Sequence, residues 1–162
     1  DCGMIADYWA EGKRVYHHTA PISMVYALRE ALRLVVEEGL EPRFARHRRH
    51  SAAVMAGLAT LGCGPQAQEG HRLASLNCVT VPAGVDEGAV RKALLNEFDI
   101  EIGGGLGPLA GKVWRVGLMG ESSSQASVLA VLAALEQALR KQGKKVQPGA
   151  ACAAALQVYA AS

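Results

Sequence analysis

Between Leu73 and Leu139 the apolar residues switch back and forth between two periods, and the order of the switches restricts the fold more than any other feature. One period is the two-residue alternation of a strand; the other is the helical repeat of about 3.6 residues. Asn77, Val79 and Val81 alternate with Leu76, Cys78 and Thr80, which predicts a strand over 73–81 that ends at Pro82-Ala83-Gly84. Asp86 can cap a helix carrying Val90, Leu94, Leu95 and Phe98. A short strand at Asp99–Ile102 runs into Gly103-Gly104-Gly105-Leu106-Gly107-Pro108, and a further strand follows at Lys112–Met119. Ser122 and Gln125 have capping-box spacing before a last helix that carries Val128, Leu132, Leu135 and Leu139. Arg140, Lys141 and Gly143 mark its end.

Upstream, Val25, Leu28, Leu32, Val35 and Val36 recur at helical spacing between Ile22 and Glu38, with Arg29, Glu30, Arg33 and Glu37 on the outer face. Pro21 is tolerated at a first helical turn, and Gly39 suits the end. A second helix is expected from Pro42 to about Thr60. The order is therefore two helices followed by β-α-β-β-α, with helices packed on a small, largely antiparallel sheet: an α+β domain. Residues 1–14 read as an extended lead-in ending in a polar turn at Glu11-Gly12-Lys13-Arg14, residues 1–19 together precede the domain of 20–145, and residues 146–162 read as an Ala-rich, poorly ordered tail with at most transient helix.

Size and composition remove several classes. A chain of 162 residues suits one domain and can bury about 70% of its unfolded surface without staples. The net charge of +2 is too small to argue for nucleic acid or an anionic membrane. No apolar run reaches the ~18–20 residues of a membrane-spanning helix. Cys2, Cys63, Cys78 and Cys152 show no CxxC and no regular spacing, so they read as reduced thiols of an intracellular protein, in the cytoplasm or a reducing organelle. The first residue is Asp1, which suggests a fragment, a processed product or a truncated chain.

Few residues are candidates for chemistry. Arg115 lies among Val113, Val116 and Leu118, so its cation needs a partner. On spacing alone a structural ion pair is the better reading; the rival is a guanidinium fork awaiting a carboxylate. Tyr16 and Thr19 place two hydroxyls ahead of Pro21, either as a plain helix start with Thr19 as cap or as donors to an oxyanion. The glycine run fails as a P-loop, because Leu106 stands five before Gly111 and Val113 follows Lys112. It reads as a flexible connection that permits close backbone approach. Arg43, Arg46, His47, Arg48, Arg49 and His50 form the main basic run. No aromatic interleaving or reader motif accompanies it, so a solvated helix face is favoured over nucleic acid. His47 and His50 lack the further ligands a metal needs.

Two segments carry a resemblance: Tyr16-His17-His18-Thr19-Ala20-Pro21, and Gly111-Lys112-Val113 with Arg115-Val116-Gly117-Leu118-Met119-Gly120. Together they resemble the C-terminal part of class V, fold-type I pyridoxal-phosphate aminotransferases, in the serine–pyruvate and alanine–glyoxylate branch. The resemblance covers essentially residues 1–145, which is under half of a full enzyme. It implies the small C-terminal domain of a homodimeric transaminase that uses pyridoxal 5'-phosphate to move an amino group from alanine or serine to glyoxylate or pyruvate. It assigns Arg115 to the substrate carboxylate, reversing the reading from spacing. It assigns Tyr16 and Thr19 to the cofactor phosphate of the neighbouring subunit, and leaves His17 and His18 structural. None of Lys13, Lys92, Lys112, Lys141, Lys144 and Lys145 has the context of the family's Schiff-base lysine, so the chain alone is expected to be inactive. The alternative is a non-enzymatic module, derived from such an enzyme, that dimerises or binds a partner.

Overall fold

The computed structural model describes residues 1–12 and 16–161. Lys13 and Arg14, half of the expected polar turn, lie outside the described residues. The chain divides into two compact units at Leu40/Glu41. The division thus falls after the 22–38 helix and not at residue 19, the end of the expected lead-in.

The first unit holds α1 (Cys2–Trp9) and α2 (Ile22–Glu38). The lead-in was expected to be extended, but its first part is helical. Asp1 supplies the reason: its carboxylate accepts from the Gly3 N–H at 2.8 Å and caps α1. Helix α2 starts where the sequence suggests, after Pro21, and ends at Gly39, whose φ of 81° suits only glycine and whose N–H reaches the Val35 carbonyl. Arg33 donates to Glu30 at 2.9 and 2.6 Å and also to Glu37. The apolar residues of α2 keep their helical spacing, yet α2 carries no buried residue.

The second unit runs α3 (Leu40–Thr60), β1 (Leu76–Thr80), α4 (Glu87–Phe98), β2 (Gly103–Gly104), β3 (Val113–Gly117), α5 (Gln125–Lys141) and α6 (Ala150–Ala160). The sheet order is β1-β3-β2, antiparallel throughout, with Val79 opposite Trp114 and Arg115 between Cys78 and Gly103. This is the expected α+β class. Side chains alternate across a strand. Trp114, Val116 and Val79 are therefore on one face, all at most 2% exposed, in the same core as Leu58, Leu94, Leu132 and Leu135. Helix α5 is central: eight of its residues are buried, among them Val128, Leu132, Leu135 and Leu139. At Gly57 of α3 an added Cβ would lie 2.4 Å from Leu132 and 2.8 Å from the Ala151 carbonyl, so three helices meet where only glycine fits.

Several boundaries differ from expectation. The expected strand at Asp99–Ile102 is not one. Asp99, with φ 54°, turns the chain out of α4, and pairing with β3 begins only at Gly103. The cap of α5 is Ser124, which accepts from the Ser127 N–H at 3.1 Å, rather than Ser122.

The larger difference is the Ala-rich tail, which is an ordered helix docked in the core. Ala151 and Ala155 are fully buried four residues apart, and their small side chains allow close approach. Glu136 of α5 accepts from the Gly149 N–H at 2.8 and 3.0 Å, placing a carboxylate at the start of α6. At the other end Tyr159 is held by α3. Its hydroxyl and His50 Nδ1 share a hydrogen bond at 2.7 Å, Arg49 donates to its carbonyl at 2.9 Å, and the Arg49 guanidinium lies 5.3 Å from its ring centre. Arg46 donates to the carbonyls of Gly120 and Ser123 at 2.9 and 2.6 Å. The basic run is thus not the solvated face expected: three of its members bind other elements.

Burial lowers the pKa of His50, and the Arg46, Arg49 and His47 charges add to the effect. The unfolded chain therefore binds a proton that the folded chain resists. Stability should be level above the ordinary imidazole range, near pH 6.5, and fall as pH drops below it. Urea midpoints measured from pH 8 to pH 5 should show this acid-side loss, and His50→Gln should flatten it.

Candidate functional site

Tyr16 and Thr19 lie in an irregular stretch before α2. Their hydroxyl oxygens are 2.6 Å apart, so one donates to the other and a single O–H proton of the pair remains free to point outward. Tyr16 is 71% exposed, which leaves that proton accessible. Thr19 does not cap α2: the cap position is Pro21, with no side-chain cap bond. His17 and His18 share a 2.7 Å contact between their Nδ1 atoms, and His18 lies beside the Tyr8 ring with centres 6.1 Å apart. Both pairs lie within the first unit.

Arg115 occupies the middle of β3, the central strand of the second unit. The two-residue alternation turns it away from the core face that Trp114 and Val116 occupy, toward the face of Cys78 and Gly103. It is half-buried. Its Nε donates to the Gly104 carbonyl at 2.8 Å. Among the described residues no carboxylate pairs with it. Buried Glu87, whose side chain lies against Gly104, is paired with Arg91 at 2.5 Å. The ion-pair reading, favoured by spacing, therefore has no partner on this face, and the terminal nitrogens remain available for two parallel bonds to an incoming anion.

The glycine run does more than the flexible connection expected of it. Gly103 and Gly104 pair with β3, and an added Cβ at Gly105 would lie 1.9 Å from the Leu109 carbonyl. The Gly104 carbonyl was not legible as a functional group, because a backbone acceptor carries no side-chain signature. The only sequence hint was the capacity of glycine for close approach.

No family model matches the chain. It is 46% identical to the (S)-ureidoglycine–glyoxylate transaminase of Bacillus subtilis over 159 residues, covering 98% of this chain and 38% of that protein. The crystal structure of the same B. subtilis enzyme superposes with a TM-score of 0.87 over 99% of this chain and 41% of that one. Alanine–glyoxylate aminotransferase of Felis catus is 40% identical over 144 residues, 87% of this chain and 35% of that protein. The structure of pyridoxamine–pyruvate aminotransferase from Mesorhizobium loti, 32% identical, matches 97% of this chain and 41% of that one with a TM-score of 0.83.

The chain belongs to the class V aminotransferases. It spans 38% of the length of its B. subtilis relative. As an aminotransferase segment it places the hydroxyl pair in one compact unit and the arginine in the other.

Because Arg115 has no carboxylate partner, Arg115→Gln should cost little more than its single bond to Gly104, about 1 kcal/mol. Breaking a buried ion pair would cost roughly 3–5 kcal/mol. Urea denaturation of both proteins distinguishes the two values.

Proposed function

We propose that the chain is the small-domain portion of a fold-type I transaminase that moves an amino group from an amino acid to an oxo acid. The observation that carries this reading is the guanidinium of Arg115, anchored through Nε and open at both terminal nitrogens. An α-carboxylate is the anion common to amino and oxo acids, and a planar fork binds it bidentately. The names of both glyoxylate-linked relatives support glyoxylate as acceptor. Alanine or serine is our proposed donor.

The hydroxyl pair fits the phosphate end of pyridoxal 5'-phosphate. Tyr16 and Thr19 are neutral and exposed, with no carboxylate in their hydrogen bonds to repel a phosphate; the closed pair at 2.6 Å offers one O–H, and exchanging that contact for the phosphate offers both. When bound, the cofactor supplies the electron sink and carries the amino group. In this proposal Tyr16 and Thr19 hold its phosphate, contributed across a homodimer to the neighbouring subunit's site. Arg115 orients the substrate by its carboxylate, and so presents the α-carbon to the reacting centre. The complete enzyme supplies the lysine. Residues 1–19 serve as the phosphate-binding lead-in, and the small domain that follows extends past 145 to include α6.

Three outcomes are expected. The isolated chain with added pyridoxal phosphate should show no transamination in a coupled assay of oxo-acid product; sustained turnover would overturn the assignment of the lysine. In the complete enzyme, Tyr16→Phe and Thr19→Ala should each weaken cofactor binding by roughly 1.5–3 kcal/mol, read by equilibrium dialysis. Arg115→Lys should lower kcat/KM for the amino acid by on the order of 10–150-fold while sparing cofactor affinity. An equal loss toward the decarboxylated amine would show that Arg115 does not read the carboxylate.

A further inference from the structure

Arginine side chains are long and rotamer-rich, so a fork that reads a carboxylate must be aimed by something. Among the described residues no side chain hydrogen-bonds to Arg115. The backbone of β2 does. An added Cβ on Gly103 would lie 3.2 Å from Nη2, 3.3 Å from Nε and 3.4 Å from Cζ of Arg115, so the guanidinium rests directly on the Gly103 α-carbon. The next carbonyl, Gly104, takes the Nε–H at 2.8 Å. On its other side Gly104 is backed by the Glu87–Arg91 pair: an added Cβ there would meet Glu87 Oε1 at 2.8 Å and Arg91 Nε at 3.1 Å. Gly105 is then pinned against the Leu109 carbonyl. Three consecutive glycines are thus demanded by three different neighbours. None of the three has a positive φ, so close approach and not backbone conformation is the reason for each.

We propose that Gly103 and Gly104 are positioning residues for Arg115. They form a flat backbone seat that occupies Nε and presents Nη1 and Nη2, so that a substrate carboxylate binds end-on. The inference rests on the carboxylate reading of Arg115 and extends it to the groups that aim the fork. An arginine free of the seat could equally bind side-on through Nε and one terminal nitrogen. With Nε donated to Gly104, the carboxylate's two oxygens meet the two terminal nitrogens. That orientation sets the direction from which the α-carbon enters.

The test uses Gly103→Ala in the complete enzyme. Its extended backbone accepts alanine, while the new methyl displaces the guanidinium by a few tenths of an ångström. Propionate serves as a non-reacting carboxylate probe, measured by calorimetry. The expected result is a propionate dissociation constant raised by about 3- to 10-fold, in line with the cost of a small misplacement. KM for the amino acid should rise more than kcat falls, and kcat/KM for the decarboxylated amine should be unchanged. A merely structural glycine would lower the thermal midpoint without moving the acid-to-amine ratio. Unchanged propionate affinity in Gly103→Ala, with affinity lost in Arg115→Lys, overturns the seat alone. Affinity retained in Arg115→Lys overturns the carboxylate reading, and the seat with it. If Gly103→Ala does not fold, the crystal structure of the wild-type enzyme with propionate decides. Both oxygens on Nη1 and Nη2, with Nε still on Gly104, support the seat, whereas an oxygen on Nε overturns it.

Discussion

Strand β3 has to meet two opposed demands within five residues, and the larger unit is organised by how it does so. Trp114 and Val116 need a dry core, while Arg115 between them needs access to an anion or to water. The pleat resolves this by sending alternate side chains to opposite faces. A slip of one residue in the pairing with β1 would carry the guanidinium into the space of Leu58, Leu94 and Leu132, where an unpaired cation is untenable. The register of Val79 with Trp114 and Cys78 with Arg115 therefore underlies both the core and the candidate site.

The helices secure that register from one side. Helix α5 is buried along much of its length, and α3 and α6 meet it around Gly57. Polar groups anchor the apolar packing. Glu136 satisfies the start of α6, and Arg49 and His50 hold its end through Tyr159. Arg46 ties α3 to the turn before α5. The basic run, which looked like solvent-facing charge, is in part a set of long-reach hydrogen-bond donors. Guanidinium groups suit that work because they present several donors on one rigid plane.

On the other side of β3 the glycine run removes side chains so that backbone can reach the guanidinium. The aminotransferase assignment is consistent with this economy: one strand supplies the charged fork, and the neighbouring strand supplies its support. The hydroxyl pair of the first unit is built on a different principle, two neutral donors joined by a short local contact. Both arrangements suit anions, one by charge and geometry, the other by hydrogen bonding alone.

The order of elements from α2 to α5, the α+β class, the strand position of Arg115 and the proximity of Tyr16 to Thr19 were legible from sequence, because each depends on periodicity or on residues a few positions apart. Apart from α1, whose Asp1 cap is local, the features that differ depend on contacts far apart in the chain. The Ala-rich segment has no strong amphipathic signal, and its docking rests on pairs such as His50 with Tyr159, 109 residues apart. The start of β2 at Gly103, and not at Asp99, was decided by where β3 offered partners. The cap at Ser124 was decided by the turn that Arg46 holds. Sequence by itself determined which residues could form helices and strands and which could carry charge to an anion. Only tertiary structure decided which apolar faces were covered, which cations were used up, and that Arg115 was left with a backbone carbonyl instead of a carboxylate. The physical reason is that burial and pairing are properties of neighbours in space, and a single chain reveals those neighbours only once it has closed on itself.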